Sequence, residues 1–265
     1  MALSILVIGA SSGIGEACAV KLAEAGHQVF GSSRDAARVS IPNVTPLSID
    51  VFDQESITAA FEAIIAQTGR LDAVVYSAGF YVAGAVEETP LADIQAQMEA
   101  YFFGAVRCAQ SALPHMRAQK SGRLVFMSST AGTISIPYHS AYSASKGALG
   151  RWTEALEYET EPLGIHVSYI EAGPIQTNAP NAMKPPSSPM AIYEKSRSNA
   201  DNAFKQSISG GLPPVRIAQA VQHAIESEKP RVRYRVGSAG KVFPFLQAML
   251  GERLFRKLMS SSFKI

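Results

Sequence analysis

A tyrosine and a lysine four residues apart, Tyr142 and Lys146, stand in the run Tyr-Ser-Ala-Ser-Lys. On a helix, that spacing puts both side chains on one face, a turn from each other. An ammonium held beside a phenol favours the phenolate, because opposite charge stabilises the ionised form. A free phenol titrates near about 10, and bringing it to about 7 takes roughly 4 kcal/mol of differential stabilisation. Lys146 can supply part of that, and a bound cationic ring the rest. A tyrosine so tuned gives or takes a proton near neutral pH, as a general acid or base does. The same spacing also arises on ordinary exposed helices, so the pair gains meaning only from its surroundings.

A second chemical feature opens the chain. Leu3 to Ile8 is a short apolar run, followed by Gly9-Ala-Ser11-Ser12-Gly13-Ile14-Gly15. The run reads as a buried parallel strand, and a helix from Gly13 to about Ala25 follows. Glycines allow a tight turn there, and the helix start aims free N–H groups at an anion such as a phosphate. The spacing is GxxxGxG rather than GxGxxG. Gln28 to Gly31 reads as the next strand, ending in Ser32-Ser33-Arg34. An acid at that end would favour the ribose of NAD. The strand end is read as lacking one, and Arg34 offers a guanidinium suited to a 2′-phosphate. A solvated loop arginine is the plainer alternative.

Further strands are expected at Val44–Ile49, before Asp50, and at Ala73–Tyr76, before Ser77-Ala78-Gly79. Others are expected at Arg123–Met127, before Ser128-Ser129, at Ile165–Ile170, before Glu171-Ala-Gly173, and near Arg233–Val236. Helices are expected at Gln54–Ala66, Leu91–Met116, from before Tyr142 to Thr160, near Ile192–Phe204 and at Val215–Glu226. The stripe Leu91, Ile94, Met98, Tyr101, Ala105, Cys108 and Ala112 argues that the Leu91 helix is packed, a subunit contact being one candidate for its partner. Strands alternating with helices predict an α/β fold: a Rossmann-like, doubly wound parallel sheet of about seven strands with helices on both faces, in a single domain over 1–265. Its ligand belongs at the carboxyl ends of the strands, where the glycine turn, Arg34, Asp50, Ser77–Gly79, Ser129 and Gly173 all fall.

Bulk properties fit one globular domain and exclude little else. Net charge is +2, giving no reason to expect nucleic acid. No apolar run approaches the roughly 18 residues of a membrane span, and the first strand does not read as a signal peptide. Two cysteines, Cys18 and Cys108, lie far apart in helical patterns. They read as buried thiols rather than a disulfide or metal site, compatible with a reducing cytoplasm; no metal is expected. From 178 to 214, prolines and glycines break the pattern, and a substrate lid is expected there. The tail, 241–265, is amphipathic. It is read as packing on its own domain or a partner subunit, with a membrane surface as the alternative.

Taken together, these residues resemble the short-chain dehydrogenase/reductase family over roughly 1 to 177, most closely its steroid and retinol dehydrogenase-like branch. Gly9, Gly13, Ile14 and Gly15 match TGxxxGIG, with Ile8 in place of Thr. Asp50 and Val51 match the adenine-contacting pair, and Ala78 and Gly79 the end of NNAG. Ser129 stands at the substrate-binding serine, thirteen residues before Tyr142 of YxxxK. Gly173 and Thr177 match PGxxxT. The departures are Tyr76 and Ser77 for the two asparagines, Ala172 for the proline, and Tyr101 where a catalytic asparagine is expected. At that last position a core aromatic and an altered proton relay are both open readings.

The resemblance implies that Tyr142 is the general acid in reduction and the general base in oxidation, and that Ser129 orients the carbonyl. Lys146 would hold the nicotinamide ribose, while Ile175 and Thr177 fix the carboxamide. It implies a nicotinamide-dependent oxidoreductase, for which Arg34 favours NADP(H) over NAD(H), acting on a fairly apolar ketone or aldehyde or the corresponding secondary alcohol. It also implies a homodimer or homotetramer. The rival is a cofactor-binding sensor or scaffold with little catalysis, motivated by Ser77 and Tyr101. Specificity is expected from Val82–Val86, Ile134–His139 and the lid.

Overall fold

The computed structural model describes residues 2–265. Ser4–Ile8 forms β1, and its alternate residues serve two cores. Leu6 and Ile8 enter one apolar cluster, while Ile5 and Val7 enter the other. A strand buried on both faces favours apolar residues on both, which is why Ile5 to Ile8 lack polar alternation and only Ser4 at the start is polar. Gly13–Glu24 (α1), Gln28–Ser33 (β2), Val44–Ser48 (β3), Gln54–Thr68 (α2) and Ala73–Tyr76 (β4) follow. Asp53 caps α2 by accepting the Glu55 N–H at 2.9 Å. Gly69 ends that helix in the left-handed region at φ 73°.

The second half contributes Leu91–Met98 (α3), Gly104–Gln119 (α4), Gly122–Ser129 (β5), Ser140–Thr160 (α5) and Ile165–Ala172 (β6). Ala191–Ser209 (α6), Val215–Glu226 (α7), Arg233–Val236 (β7) and Ala239–Phe263 (α8) complete it. The seven strands pair in parallel in the order β3-β2-β1-β4-β5-β6-β7. The reversal between β1 and β4 makes the sheet doubly wound, as expected. Side chains of α2, α4 and α5 cover one face, through Phe61, Cys108 and Leu149. Those of α1 and α7 cover the other, through Leu22 and Val221. Both cysteines are free and buried, as read from the sequence, and burial raises the Cys18 thiol to about 12.

Several elements differ from expectation. The strands β2, β5 and β6 run two residues further, to Ser33, Ser129 and Ala172, because pairs such as Ser129 with Ala172 extend the ladder past the apolar run. The single helix expected over 91–116 is α3 and α4 joined by a widened π-helical turn at Glu99–Phe103. The extra residue in that turn re-phases the two pieces. Leu91 therefore leaves the expected stripe and is exposed, whereas Tyr101, Ala105, Cys108 and Ala112 are buried. The helix expected near Ile192–Phe204 is longer and spans Ala191–Ser209.

Candidate active site

Because every strand points the same way, the sequence-predicted residues gather at one edge of the sheet. Gly9 leaves β1 at φ +85° and its N–H donates to the Ser32 carbonyl at 3.0 Å. A Cβ on Gly9 would lie 2.8 Å from the Ala78 nitrogen, so the turn packs directly on the Ser77–Gly79 segment. Ser77 N–H donates to the Ile8 carbonyl at 2.9 Å. A Cβ on Gly13 would reach the Thr177 methyl at 3.5 Å, bringing the segment after β6 to the same turn. Ser12 precedes α1 without a side-chain capping bond, which leaves the first-turn N–H groups to face an external acceptor. Ser11 and Ile14 flank it, Ile14 packing partly into the core. Gly15 packs against the Gly9 carbonyl. These features fit a pyrophosphate cradle, as a dinucleotide requires.

Around the cradle, Asp50 follows β3 and accepts the Phe52 N–H at 3.0 Å, while Val51 is buried beneath α4. Gly173 N–H donates to the Val236 carbonyl at 2.9 Å, and Ile175 is buried beside Leu212. Arg34 is exposed just past β2. Here one reading needs correction: an acid does stand beside it. Asp35 is the next residue, but its carboxylate accepts the Ala37 N–H at 3.1 Å and so caps a short turn.

Tyr142 and Lys146 sit on α5, one turn apart, and Ser129 ends β5 beside them. Burial raises the Tyr142 phenol above its ordinary pKa, while hydrogen bonding with Ser129 and with Tyr81 pulls it down. Lys146 turns its amine toward Tyr101 rather than Tyr142 in this arrangement. Its Nζ lies 3.8 Å from the Tyr101 ring centroid, against 5.8 Å for Tyr142, and donates to the Met127 carbonyl at 2.5 Å. Burial lowers Lys146 to about 7.

That displacement has a thermodynamic sign. The folded chain releases the Lys146 proton near 7, whereas the unfolded chain holds it to about 10.5. Between those values the unfolded state binds more protons, so stability rises with pH. Below about 7 the cost of burying the ammonium is present in full. Between about pH 7 and pH 9, urea unfolding should show this rise, at most about 1.4 kcal/mol per pH unit from one group. Lys146→Met should flatten it; equal slopes in the two proteins would contradict the burial argument.

The two tyrosines that replace family asparagines meet around the π-helical turn. The Tyr76 hydroxyl donates to the Ala100 carbonyl at 2.5 Å. Gly104 leaves room for the hydroxyl, which a Cβ there would strike. Gly79 likewise leaves room for the Tyr101 ring. Tyr101 thus fills the space against Lys146 as a buried aromatic, and Tyr76 pins the turn that presents it. Tyr76→Phe should cost about 1–3 kcal/mol by stranding a buried carbonyl. For a domain of this size, each kcal/mol lowers Tm by roughly 2–4 °C; an unchanged Tm would show that the turn does not depend on this bond.

Sequence reasoning missed the roof of the site. Tyr81 lies over Tyr142 with ring centroids 4.2 Å apart, and Phe204 of α6 is 5.4 Å from Tyr81. His139 packs on Phe204 at 4.6 Å; it is fully buried, and burial lowers its pKa to about 4, so the ring is neutral. The roof is tied to the preceding segment by backbone, since Lys184 N–H donates to the Tyr81 carbonyl at 2.8 Å. It is also tied by a buried carboxylate. Glu88 pairs with Arg197 of α6 and accepts the N–H groups of Met190 at 2.7 Å and Ala85 at 3.1 Å. Burial alone would raise the Glu88 pKa; the hydrogen bonds from Met190, Arg197 and Ala85 outweigh it and hold the group low. The Phe80-Tyr81 pair directly after Gly79 was the available signal for the roof. Glu88 and Arg197 are too far apart in sequence for any local pattern to join them.

A doubly wound parallel sheet with a glycine turn after its first strand, and a Ser–Tyr–Lys group at the strand ends, defines the dinucleotide-dependent dehydrogenase class. The family model described as short chain dehydrogenase matches residues 4–187. The chain belongs to the short-chain dehydrogenase/reductase family of nicotinamide-dependent oxidoreductases. It is 34% identical over 242 residues to 3-ketodihydrosphingosine reductase of Bacteroides thetaiotaomicron, covering 88% of this chain and 87% of that protein. It is 30% identical over 253 residues to human 17-beta-hydroxysteroid dehydrogenase type 1, covering 87% and 76%. A short-chain dehydrogenase structure from Streptomyces avermitilis superposes with a TM-score of 0.82 at 32% identity, covering 99% and 96%.

Proposed function

We propose that this chain is an NADPH-dependent carbonyl reductase, reducing an apolar ketone or aldehyde or oxidising the corresponding secondary alcohol. The observation that carries the reading is the placing of buried Tyr142 and Lys146 one turn apart on α5, with Ser129 at the end of β5, under an aromatic roof. In this reading the glycine turn and the α1 start hold the pyrophosphate, Asp50 and Val51 the adenine, and Arg34 the 2′-phosphate. Ser77–Gly79 line the cofactor, and Gly173, Ile175 and Thr177 fix the carboxamide. The bound nicotinamide supplies the hydride in reduction and accepts it in oxidation.

The chain's own residues supply the rest. Ser129 donates a hydrogen bond to the carbonyl oxygen and orients it. Tyr142 gives that oxygen its proton as the carbon gains the hydride, so the carbonyl becomes an alcohol. Lys146 would hold the ribose of a bound cofactor, and its charge would stabilise the tyrosinate left behind. Placing the reacting atoms supplies much of the acceleration in such a site. The roof of Tyr81, Phe204 and neutral His139, with Ile136 packed beside Tyr81 and Tyr142, favours an apolar substrate. The long-chain and steroid ketones implied by the names of two relatives agree with that class. Segment 178–214 serves as the substrate lid, held by Glu88. Buried free thiols agree with a cytoplasmic location, and a homodimer or homotetramer belongs to the same reading.

Ser77 and Tyr101 favour a second reading, a cofactor-binding sensor with little catalysis. NADPH consumption across aliphatic, aromatic and steroid ketones separates the two. Turnover with apolar ketones is expected. Tight NADPH binding without turnover on any of them would favour the sensor.

A further inference from the structure

The candidate lies outside the site, on α8. This helix has two faces and one sharp bend, where Gly251 adopts φ 69° and ψ 169°. One face is covered by the domain itself: Phe255 and Met259 are buried against Ile134, with Phe243 and Leu246 packed beside them. The packing expected from sequence is therefore present. The other face is uncovered. Val242, Phe245 and Met249 share a stripe at i, i+3 and i+7 and are 47%, 62% and 69% exposed; Leu250 adjoins it just before the bend, and Leu254 is exposed just beyond it. Large apolar side chains grouped in this way on one helix mark an interaction surface.

The charge around the stripe says what it fits. In segment 241–265, Lys241, Arg253, Arg256, Lys257 and Lys264 are exposed and stand against one acid, Glu252. The segment is more basic than the whole chain, whose net charge is only +2, so the remainder is slightly acidic. A second copy meeting this face across a two-fold axis would bring like charges together, because such a contact pairs a patch with itself. An anionic lipid surface has the complementary arrangement. Its headgroups attract the basic side chains, and its acyl boundary accepts the apolar stripe. Long Lys and Arg stems can lie along the apolar layer with their charges at the headgroups. No helix among the described residues is long and apolar enough to cross a membrane, so contact through α8 is peripheral.

We propose that the exposed face of α8 docks the protein on anionic membrane surfaces. The same helix packs on α6, so docking sets the lid side of the molecule close to the lipid. The test is co-sedimentation of the full chain with phosphatidylcholine vesicles, with and without about one-third phosphatidylglycerol, at low and at physiological salt. Anionic vesicles should bind at least about tenfold more protein than neutral ones, and salt should weaken that binding. Phe245→Asp and, separately, Met249→Asp should abolish binding while leaving thermal melting and turnover of a soluble ketone unchanged. Both positions are mostly exposed, and either variant alone carries the test if the other melts early. Light scattering on the same proteins reads the alternative occupant. Absence of vesicle binding, equal binding to both vesicle types, or a parent dimer that Phe245→Asp converts to monomer would each overturn the proposal.

Discussion

Replacing Tyr142 by Phe should lower kcat by about 10²–10⁴-fold, the range that a positioned proton donor contributes. The ring should keep its place, because it is held by Tyr81 at 4.2 Å and by Tyr101 at 5.5 Å rather than by the hydroxyl alone. Thermal melting and NADPH affinity should therefore stay near those of the parent. That pattern separates lost proton transfer from lost structure; full activity in the variant would end the mechanism. The pH profile adds a check with a definite sign. Burial raises the Tyr142 pKa despite the Ser129 and Tyr81 hydrogen bonds. Reduction needs the protonated phenol, so its rate should hold through neutral pH and fall only as the phenol ionises. Oxidation needs the base, so its rate should climb with pH. In Tyr142→Phe both dependences should vanish from the residual rate.

The second large effect concerns the cofactor. Arg34→Ala should reduce kcat/KM with NADPH by about 10–100-fold, the loss of one hydrogen-bonded charge on a phosphate at roughly 1.5–3 kcal/mol. The value with NADH should change little, since no 2′-phosphate is there to lose a partner. The exposure of Arg34 past the end of β2 leaves its guanidinium free to reach such a group. Asp35 beside it works against an anion, but the bond from Ala37 N–H engages its carboxylate locally. An NADPH preference that survives Arg34→Ala would refute the assignment of this residue.

The sheet and its order were legible because a parallel strand buried on both faces leaves a run such as Leu3 to Ile8 that little else resembles. Strand ends were less legible. Ser128 and Ser129 are polar, and only pairing with Glu171 and Ala172 keeps them in β5. The π-helical turn was invisible from sequence. Its contact with Tyr76 comes from a strand that no local pattern links to Ala100. Spacing alone puts Tyr142 and Lys146 on one helix face, whereas Ser129 entered only through the resemblance to the family. The electrostatics of the site could not be read. Spacing places an ammonium near a phenol, whereas the fold turns it toward Tyr101 and Met127. The roof and its Glu88–Arg197 strut depend on contacts between distant segments, and a pattern read along the chain carries no information about them.

The central claim is that Tyr142 and Lys146 serve one reacting centre once the nicotinamide is docked, and a crystal structure of the protein with NADPH and an apolar ketone tests it most directly. The account predicts the Lys146 amine within hydrogen-bonding distance of the ribose, Tyr81 moved off Tyr142, and the Tyr142 hydroxyl on the ketone oxygen. Lys146 still on the Met127 carbonyl, with Tyr81 still stacked over Tyr142 and the ketone elsewhere, would contradict it.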